Sequence, residues 1–359
     1  MSKMLAEIRE QPQALERTLK SELSRAKRLR TRLEKQRPRL IILAARGTSD
    51  NAAQFARYLL EITTGIPVSL AAPSVYTLYD SDVDMRETLV VAISQSGEST
   101  DTNAVLEKAR ARGAFTVGIT NEPKSTLVQL AEHTLFVRAR REKSVAATKT
   151  YTGQLMACYL LAYALGLPGQ ASPAKAKWKV DLDQLERIPE MAERALAMES
   201  EVAQRCQRYR YMDHAVVVGR GLNYSNAFEF ALKLMETCYV VAERFSAADF
   251  MHGPIAMIGN AFPAFLFAPS GLTWPGIRDM RDKLNSLDAE TLVITDQSNQ
   301  AAANQAAMKQ ALVLPFKVEE LYSPIPYVIP AQLFAACLAA EKGLNPDRPR
   351  TLEKVTRTL

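Results

Sequence analysis

Apolar positions recur along this chain in two alternating spacings. Residues 3 to about 35 carry them at helical spacing, with Pro12 at a helix start or break, and Leu40-Ile41-Ile42-Leu43-Ala44-Ala45 then reads as a strand. That run leads into Arg46-Gly47-Thr48-Ser49-Asp50 and an amphipathic helix bearing Phe55, Tyr58, Leu59 and Ile62. The same order returns at 215, with Ala215-Val216-Val217-Val218, then Gly219-Arg220-Gly221, then a helix from about Ser225 to Thr237. Two copies of strand, glycine turn and helix imply a duplication.

The correspondence extends further. The apolar run 88–93 ends at Ser94-Gln95-Ser96-Gly97, and the run 264–268 ends at Pro269-Ser270-Gly271. Further strands are predicted at 115–119, 134–138, 291–295 and 311–315, with helices between them. Strands alternating with helices predict an α/β fold of two doubly wound, largely parallel sheets in tandem. The expected organisation is an N-terminal helical segment at 1–35, a first domain at 36–170, a polar helical connector at 171–205, a second domain at 206–342 and a tail at 343–359. Pro346 and Pro349 prevent that tail from being one continuous helix.

A chain of 359 residues, 47% hydrophobic and 23% charged, can bury two substantial cores, which excludes disordered and fibrous classes. No stretch approaches the roughly 20 apolar residues of a membrane span, and MSKMLAEIREQPQ lacks the apolar core of a signal peptide, so a cytoplasmic protein with no membrane partner is expected. Cys158, Cys206, Cys238 and Cys337 are far apart and form no CxxC pair, which predicts free thiols. His133, His214 and His252 show no ligand spacing with one another or with a cysteine, so no metal is expected. The net charge of +6 is local: residues 17–39 hold ten Lys or Arg against Glu22 and Glu34, and the remainder carries 35 basic and 37 acidic residues. Without interleaved aromatics this segment predicts a solvated helix face, and no nucleic-acid partner is expected.

Four features carry candidate chemistry. Ser94-Gln95-Ser96-Gly97-Glu98-Ser99 follows a strand end, where open parallel sheets bind anions and hydroxyls can donate to phosphate oxygens; the alternative is a hydroxyl-rich helix cap. Thr48-Ser49 forms a second hydroxyl loop at a comparable strand end. Glu229, Lys233 and Glu236, spaced by four and three, share one helix face, either as a surface ion pair or as a partly buried group able to move a proton on carbon. His252 lies in the turn Phe250-Met251-His252-Gly253-Pro254, and Lys354 lies in the tail, where a lysine is ordinarily a solvated charge.

Taken in order, these segments resemble the sugar isomerase (SIS) family, in particular the isomerase half of glucosamine-6-phosphate synthase and its free-standing relatives. The resemblance runs through Glu7-Ile8-Arg9-Glu10-Gln11-Pro12, Arg46-Gly47-Thr48-Ser49, Ser94-Gln95-Ser96-Gly97-Glu98, the segment 142–149, the segment 229–236, His252-Gly253-Pro254 and the segment 349–354. It implies that Ser49, Ser94, Gln95, Ser96 and Ser99 hold a sugar phosphate, with Thr48, Val145 and Ala147 lining the substrate. It further implies that His252 assists ring opening, within the chain or from a neighbouring subunit, and that Glu236 shuttles a proton between carbons 1 and 2 with Glu229 and Lys233 in support. Lys354 would close over the site and form a Schiff base with a keto sugar. No metal or organic cofactor is implied, the substrate is a phosphorylated amino sugar, and the assembly is a homodimer.

Departures from the synthase pattern matter as much. Arg46 stands where cysteine is usual, Ser99 where threonine is usual and Ala147 where serine is usual. The sequence starts Met1-Ser2-Lys3 and is too short for a glutaminase domain with an N-terminal cysteine, and its ending resembles that of free-standing amino sugar phosphate deaminases. The expected activity is therefore an isomerising deaminase acting on glucosamine 6-phosphate. Its rivals are a deglycase or a deaminase for another amino sugar phosphate, a noncatalytic phosphosugar sensor, and an isomerase subunit served by a separate glutaminase.

Overall fold

The structure, a computed structural model of the chain, describes residues 2–166, 178–304, 310–352 and 354. Among these the chain forms two compact units. One holds residues 13–142, 149–166, 178–186 and 354; the other holds 2–12, 143–148, 187–304 and 310–352. Part of the expected connector, 171–177, lies outside the described residues; its remainder runs into the helical stretch 182–206.

Helices α1 (Lys3–Arg9) and α2 (Gln11–Lys35) open the chain, bearing out the helical reading of residues 3–35. In the first unit β1 (Leu40–Ala44) leads to α3 (Thr48–Thr64), β2 (Val68–Leu70) and α4 (Pro73–Thr77). Then come β3 (Thr88–Ile93), α5 (Thr100–Ala111), β4 (Phe115–Thr120), α6 (Thr126–Leu130), β5 (His133–Phe136) and α7 (Lys149–Leu165). The sheet order is β2-β1-β3-β4-β5 and every pairing is parallel. All six residues of β3 are buried, as expected of a central parallel strand covered by helices on both faces.

Helix α8 (Leu182–Leu196) runs from the first unit into the second, which continues through α9 (Glu199–Cys206), β6 (His214–Gly219), α10 (Tyr224–Cys238), β7 (Val241–Ser246) and α11 (Ala247–Met251). It is completed by β8 (Pro263–Phe267), α12 (Trp274–Ser286), β9 (Glu290–Asp296), α13 (Gln300–Ala303), β10 (Ala311–Leu314) and α14 (Pro324–Glu341). Its order, β7-β6-β8-β9-β10, is the order of the first sheet with equivalent strands exchanged, and it too is wholly parallel. The duplication and the two doubly wound sheets are thus realised.

Among the described residues, periodicity missed only β2 and β7, which occupy one edge of each sheet. The opposite edges, β5 and β10, are mostly buried and were predicted, so edge position alone is not the reason: β2 has only three residues, and β7 carries Glu243, Arg244 and a 66% exposed Val241. The strand expected at 134–138 ends earlier, at Phe136, and Arg138 has the left-handed φ of 51°.

The basic helix face is not simply solvated. Arg25 lies 5.0 Å over the Phe136 ring, Arg30 5.4 Å over Tyr163 and Arg32 5.7 Å over Phe115, so aromatics absent from the segment are supplied by the fold. Helix α14 has the length and mean hydropathy, 1.2, of a candidate membrane span, yet 83% of it is buried within its unit, against α9 and α10. The cysteines are free thiols, and burial pushes that of Cys238 up to about 11.

Phe230 of α10 meets Phe265 of β8 at 5.1 Å and Phe334 of α14 at 5.6 Å, both edge-on, which fixes α10 between sheet and helix. Phe230→Ala is expected to cost about 3–5 kcal/mol of stability, read as a lower urea midpoint.

Candidate active site

In the first sheet the chain winds from β1 outward to β2 and from β3 outward to β4, so the direction of winding reverses between β1 and β3. Their paired carboxyl ends, with Ala44 opposite Ala92, are where such sheets bind ligands. The end of β1 turns through Arg46 and Gly47 into α3, and the end of β3 turns through 94–99 into α5. Two helix N-termini therefore begin from adjacent strands, a setting that favours an anion.

The serine loop is held rigid. Gly97 has φ 67°, and a Cβ there would collide with the Ser125 side chain. Asn103 Nδ2 donates to the Gly97 carbonyl at 3.1 Å, while the Glu98 carboxylate accepts from the Thr126 N–H at 2.9 Å and its hydroxyl at 2.8 Å. Ser94 Oγ accepts from the Gly97 N–H at 3.1 Å and Ser96 Oγ from the Glu98 N–H at 3.2 Å. From the neighbouring strand end, Ser49 Oγ accepts from Gln154 Nε2 at 2.8 Å. Each oxygen is thus engaged as an acceptor, and none of the three hydroxyls donates to another described residue. Their protons remain for a ligand.

Ser99 is the N-cap of α5, but its side chain makes no capping bond and instead lies 3.0 Å from Thr102 Oγ1. The helix-cap alternative is not what this geometry uses. Gln95 and Thr48 are half-buried beside these groups in sequence. Arg46 reaches the buried Asp101 in the first turn of α5, at 2.8 and 3.1 Å. Burial raises the carboxyl of Asp50, with Arg46 acting against the shift.

Lys354 belongs to the same unit and is not a solvated charge. Its ammonium is 2.9 Å from the fully buried Glu142, which also accepts from the Thr150 N–H at 3.2 Å and the Thr150 hydroxyl at 2.6 Å. A pair of this kind, with one member desolvated, holds the lysine in a defined place.

In the second unit, α10 displays the charged stripe. Glu229 and Lys233 are fully buried, so the reading as an ordinary surface ion pair is overturned. Lys233 Nζ is 3.5 Å from Glu229 and 2.5 Å from Glu236, whose side chain keeps 22% exposure. The stripe therefore grades from a dry end at Glu229 to a wet end at Glu236, and the carboxylate at the wet end is oriented by an ammonium withheld from water. Tyr239 ends the helix in the left-handed conformation, and its hydroxyl accepts from the Arg350 N–H at 2.9 Å while the Arg350 guanidinium lies 4.5 Å over its ring. The start of the tail is thereby fastened three residues beyond Glu236.

His252 follows α11 in a turn and is exposed; its imidazole is hydrogen-bonded to no described residue, and no bond joins it to Glu236. Val145 and Ala147, half-buried, lie in a segment tethered by Glu7, which accepts the N–H of Lys143 at 2.5 Å and of Ser144 at 3.0 Å. Sequence reasoning assigned no task to Glu7, Gln154, Glu142, Tyr239 or Arg350. Glu7, Glu142 and Arg350 lay within segments that carry the resemblance, and Gln154 left a signal as a polar residue within the long apolar run of α7.

Two substitutions test this geometry. Lys233→Met would leave Glu229 and Glu236 without their ammonium and is expected to cost about 3–5 kcal/mol in urea unfolding. Gly97→Ala would force both the left-handed backbone and the Ser125 contact, weakening inorganic phosphate binding by about tenfold or more in a calorimetric titration.

Residues 33–164 and 209–342 match the SIS domain family. The chain is 36% identical over 358 residues to the isomerizing glutamine–fructose-6-phosphate aminotransferase of Gloeobacter violaceus, and 35% identical over 356 residues to that of Pyrococcus horikoshii. Each alignment covers 98% of this chain but only 58% and 57% of those relatives, so the chain spans less than two thirds of their length. The C-terminal domain of glucosamine-fructose-6-phosphate aminotransferase from Francisella tularensis superposes with a TM-score of 0.85 at 28% identity, covering 97% of this chain and 98% of that one. A glucosamine-6-phosphate deaminase from Thermotoga maritima shares the fold, with a TM-score of 0.72 at 22% identity over 99% of this chain and 100% of its own. With each match lying over one of the two five-stranded parallel sheets, the chain belongs to the SIS domain family.

Proposed function

We propose that the chain is an isomerising deaminase that converts glucosamine 6-phosphate and water to fructose 6-phosphate and ammonia. The observation that carries this reading is Glu236: a carboxylate partly open to solvent, oriented at 2.5 Å by the buried Lys233. A base so placed can take the proton from carbon 2 of the opened sugar and return it to carbon 1. Meanwhile a hydrogen on nitrogen is exchanged for one on the carbon 1 oxygen, giving an imine at carbon 2. Water then adds to the imine and ammonia leaves.

The other residues fit this sequence of steps. Ser49, Ser94 and Ser96 hold the phosphate with their available hydroxyl protons, Gln95 and Ser99 complete the phosphate site, and Thr48, Val145 and Ala147 line the sugar. His252 assists ring opening, and its exposure suits a residue serving across the contact of a homodimer. In the reverse direction Lys354, its ammonium proton taken by the neighbouring Glu142, condenses with the carbonyl of the keto sugar to a Schiff base and releases water. Arg46 supports a use distinct from the synthase pattern, because its bond to Asp101 is one that the cysteine usual there cannot make.

A second reading is favoured by the 36% identity to an aminotransferase over 98% of the chain: the same isomerase chemistry run towards synthesis, with ammonia from a glutaminase. Incubation with glucosamine 6-phosphate tests the deaminase reading, and copurification of a glutaminase with the chain would favour the second. The deaminase reading expects both fructose 6-phosphate and ammonia, and absence of both would sink it. Glu236→Gln is expected to lower kcat by about 10²–10⁴-fold, and full activity would remove Glu236 from the shuttle.

A further inference from the structure

The second sheet reverses its winding between β6 and β8, so it has the crevice in which the first unit sets its serine loop. The loops match one for one. Six residues join β3 to α5 and six join β8 to α12, which aligns Ser96-Gly97 with Ser270-Gly271 and the N-cap Ser99 with the N-cap Thr273. The first loops match as well: Arg46-Gly47 and Arg220-Gly221 have glycine φ values of 58° and 59°. Arg46 reaches the first turn of α5, and Arg220 lies where a Cβ on Gly276, in the first turn of α12, would fall.

The two crevices differ in what occupies them. In the second, the carboxylate of Glu320, only 9% exposed, accepts from the Leu272 N–H at 2.7 Å, the Thr273 N–H at 3.4 Å and the Thr273 hydroxyl. A Cβ on Gly271 would run into the same carboxylate, so the glycine makes room for it. In the first crevice the Glu98 N–H, aligned with that of Leu272, is taken by Ser96 Oγ at 3.2 Å, while the Ser99 N–H, aligned with that of Thr273, has no acceptor among the described residues.

We infer that Glu320 is a built-in ligand of a second anion cradle, its carboxylate standing where the first cradle takes a phosphate group, so that each chain binds one sugar phosphate and not two. This rests on reading the first loop as a phosphate cradle. The site in the second unit is chemically an acceptor site for a small oxyanion, filled from within.

Chemical rescue tests it. Glu320→Ala is expected to lower Tm by about 5 °C or more, and sodium formate to restore it saturably beyond sodium chloride of equal ionic strength, with no such response in the unaltered protein. Destabilisation without formate-specific recovery would overturn the inference. Should that variant not fold, Glu320→Gln serves: amide exchange at Leu272 and Thr273 is expected to quicken by about tenfold as a charged acceptor becomes neutral, and unchanged exchange would also overturn it. Formate carries no sugar and the assay needs no turnover, so failure of the deaminase reading would leave this result intact, and the converse holds as well.

Discussion

The chemistry of this chain depends on the parallel pairing of β1 with β3 and of β6 with β8. Parallel neighbours cannot be joined by a tight turn, so each strand is followed by a helix that crosses a face of the sheet. All strands in a sheet then end on the same side, each handing its chain to a helix N-terminus. Where the winding reverses, two such ends lie side by side without a crossover covering them. The serine loop and the Arg46 turn use that place in the first repeat, and Glu320 closes it in the second.

The duplicated fold has thus been put to two uses. The first repeat keeps a serine loop whose hydroxyl oxygens are engaged and whose protons go to no described residue, which is why we propose it as an anion cradle. The second repeat engages the Thr273 N–H, whose counterpart at Ser99 has no acceptor among the described residues, with Glu320, and it carries its buried charged stripe on α10. A buried cradle with unmatched N–H groups would be costly, and an internal carboxylate removes that cost.

Burial of Lys233 is the main electrostatic expense of the second repeat. An ammonium withheld from water requires close carboxylates, and α10 supplies them one turn away in each direction, at Glu229 and Glu236. Such an arrangement adds little net stability over apolar residues of similar size, so its presence is better explained by a fixed position for Glu236. The aromatic contacts of Phe230 hold the helix that carries it.

Much of this was legible in the linear chain, because periodicity reports burial directly. Continuous apolar runs marked the central strands, and the recurrence of strand, glycine turn and helix marked the duplication. Spacings of three and four put Glu229, Lys233 and Glu236 on one face, and the order of the short segments pointed to the SIS family. Of the edge strands, β5 and β10 are mostly buried and were legible, whereas β2 is too short and β7 too mixed in pattern to show an apolar run. What spacing could not convey was environment: the same i, i+4 pair is trivial on a surface and dominant when dry, and only packing made α10 dry. Partners remote in sequence were likewise invisible, as with Gln154 for Ser49, Glu142 for Lys354 and Glu320 for the loop at Gly271. Those pairs join loops, helices and the tail that tertiary packing brings together, a constraint that acts through space and leaves no period along the chain.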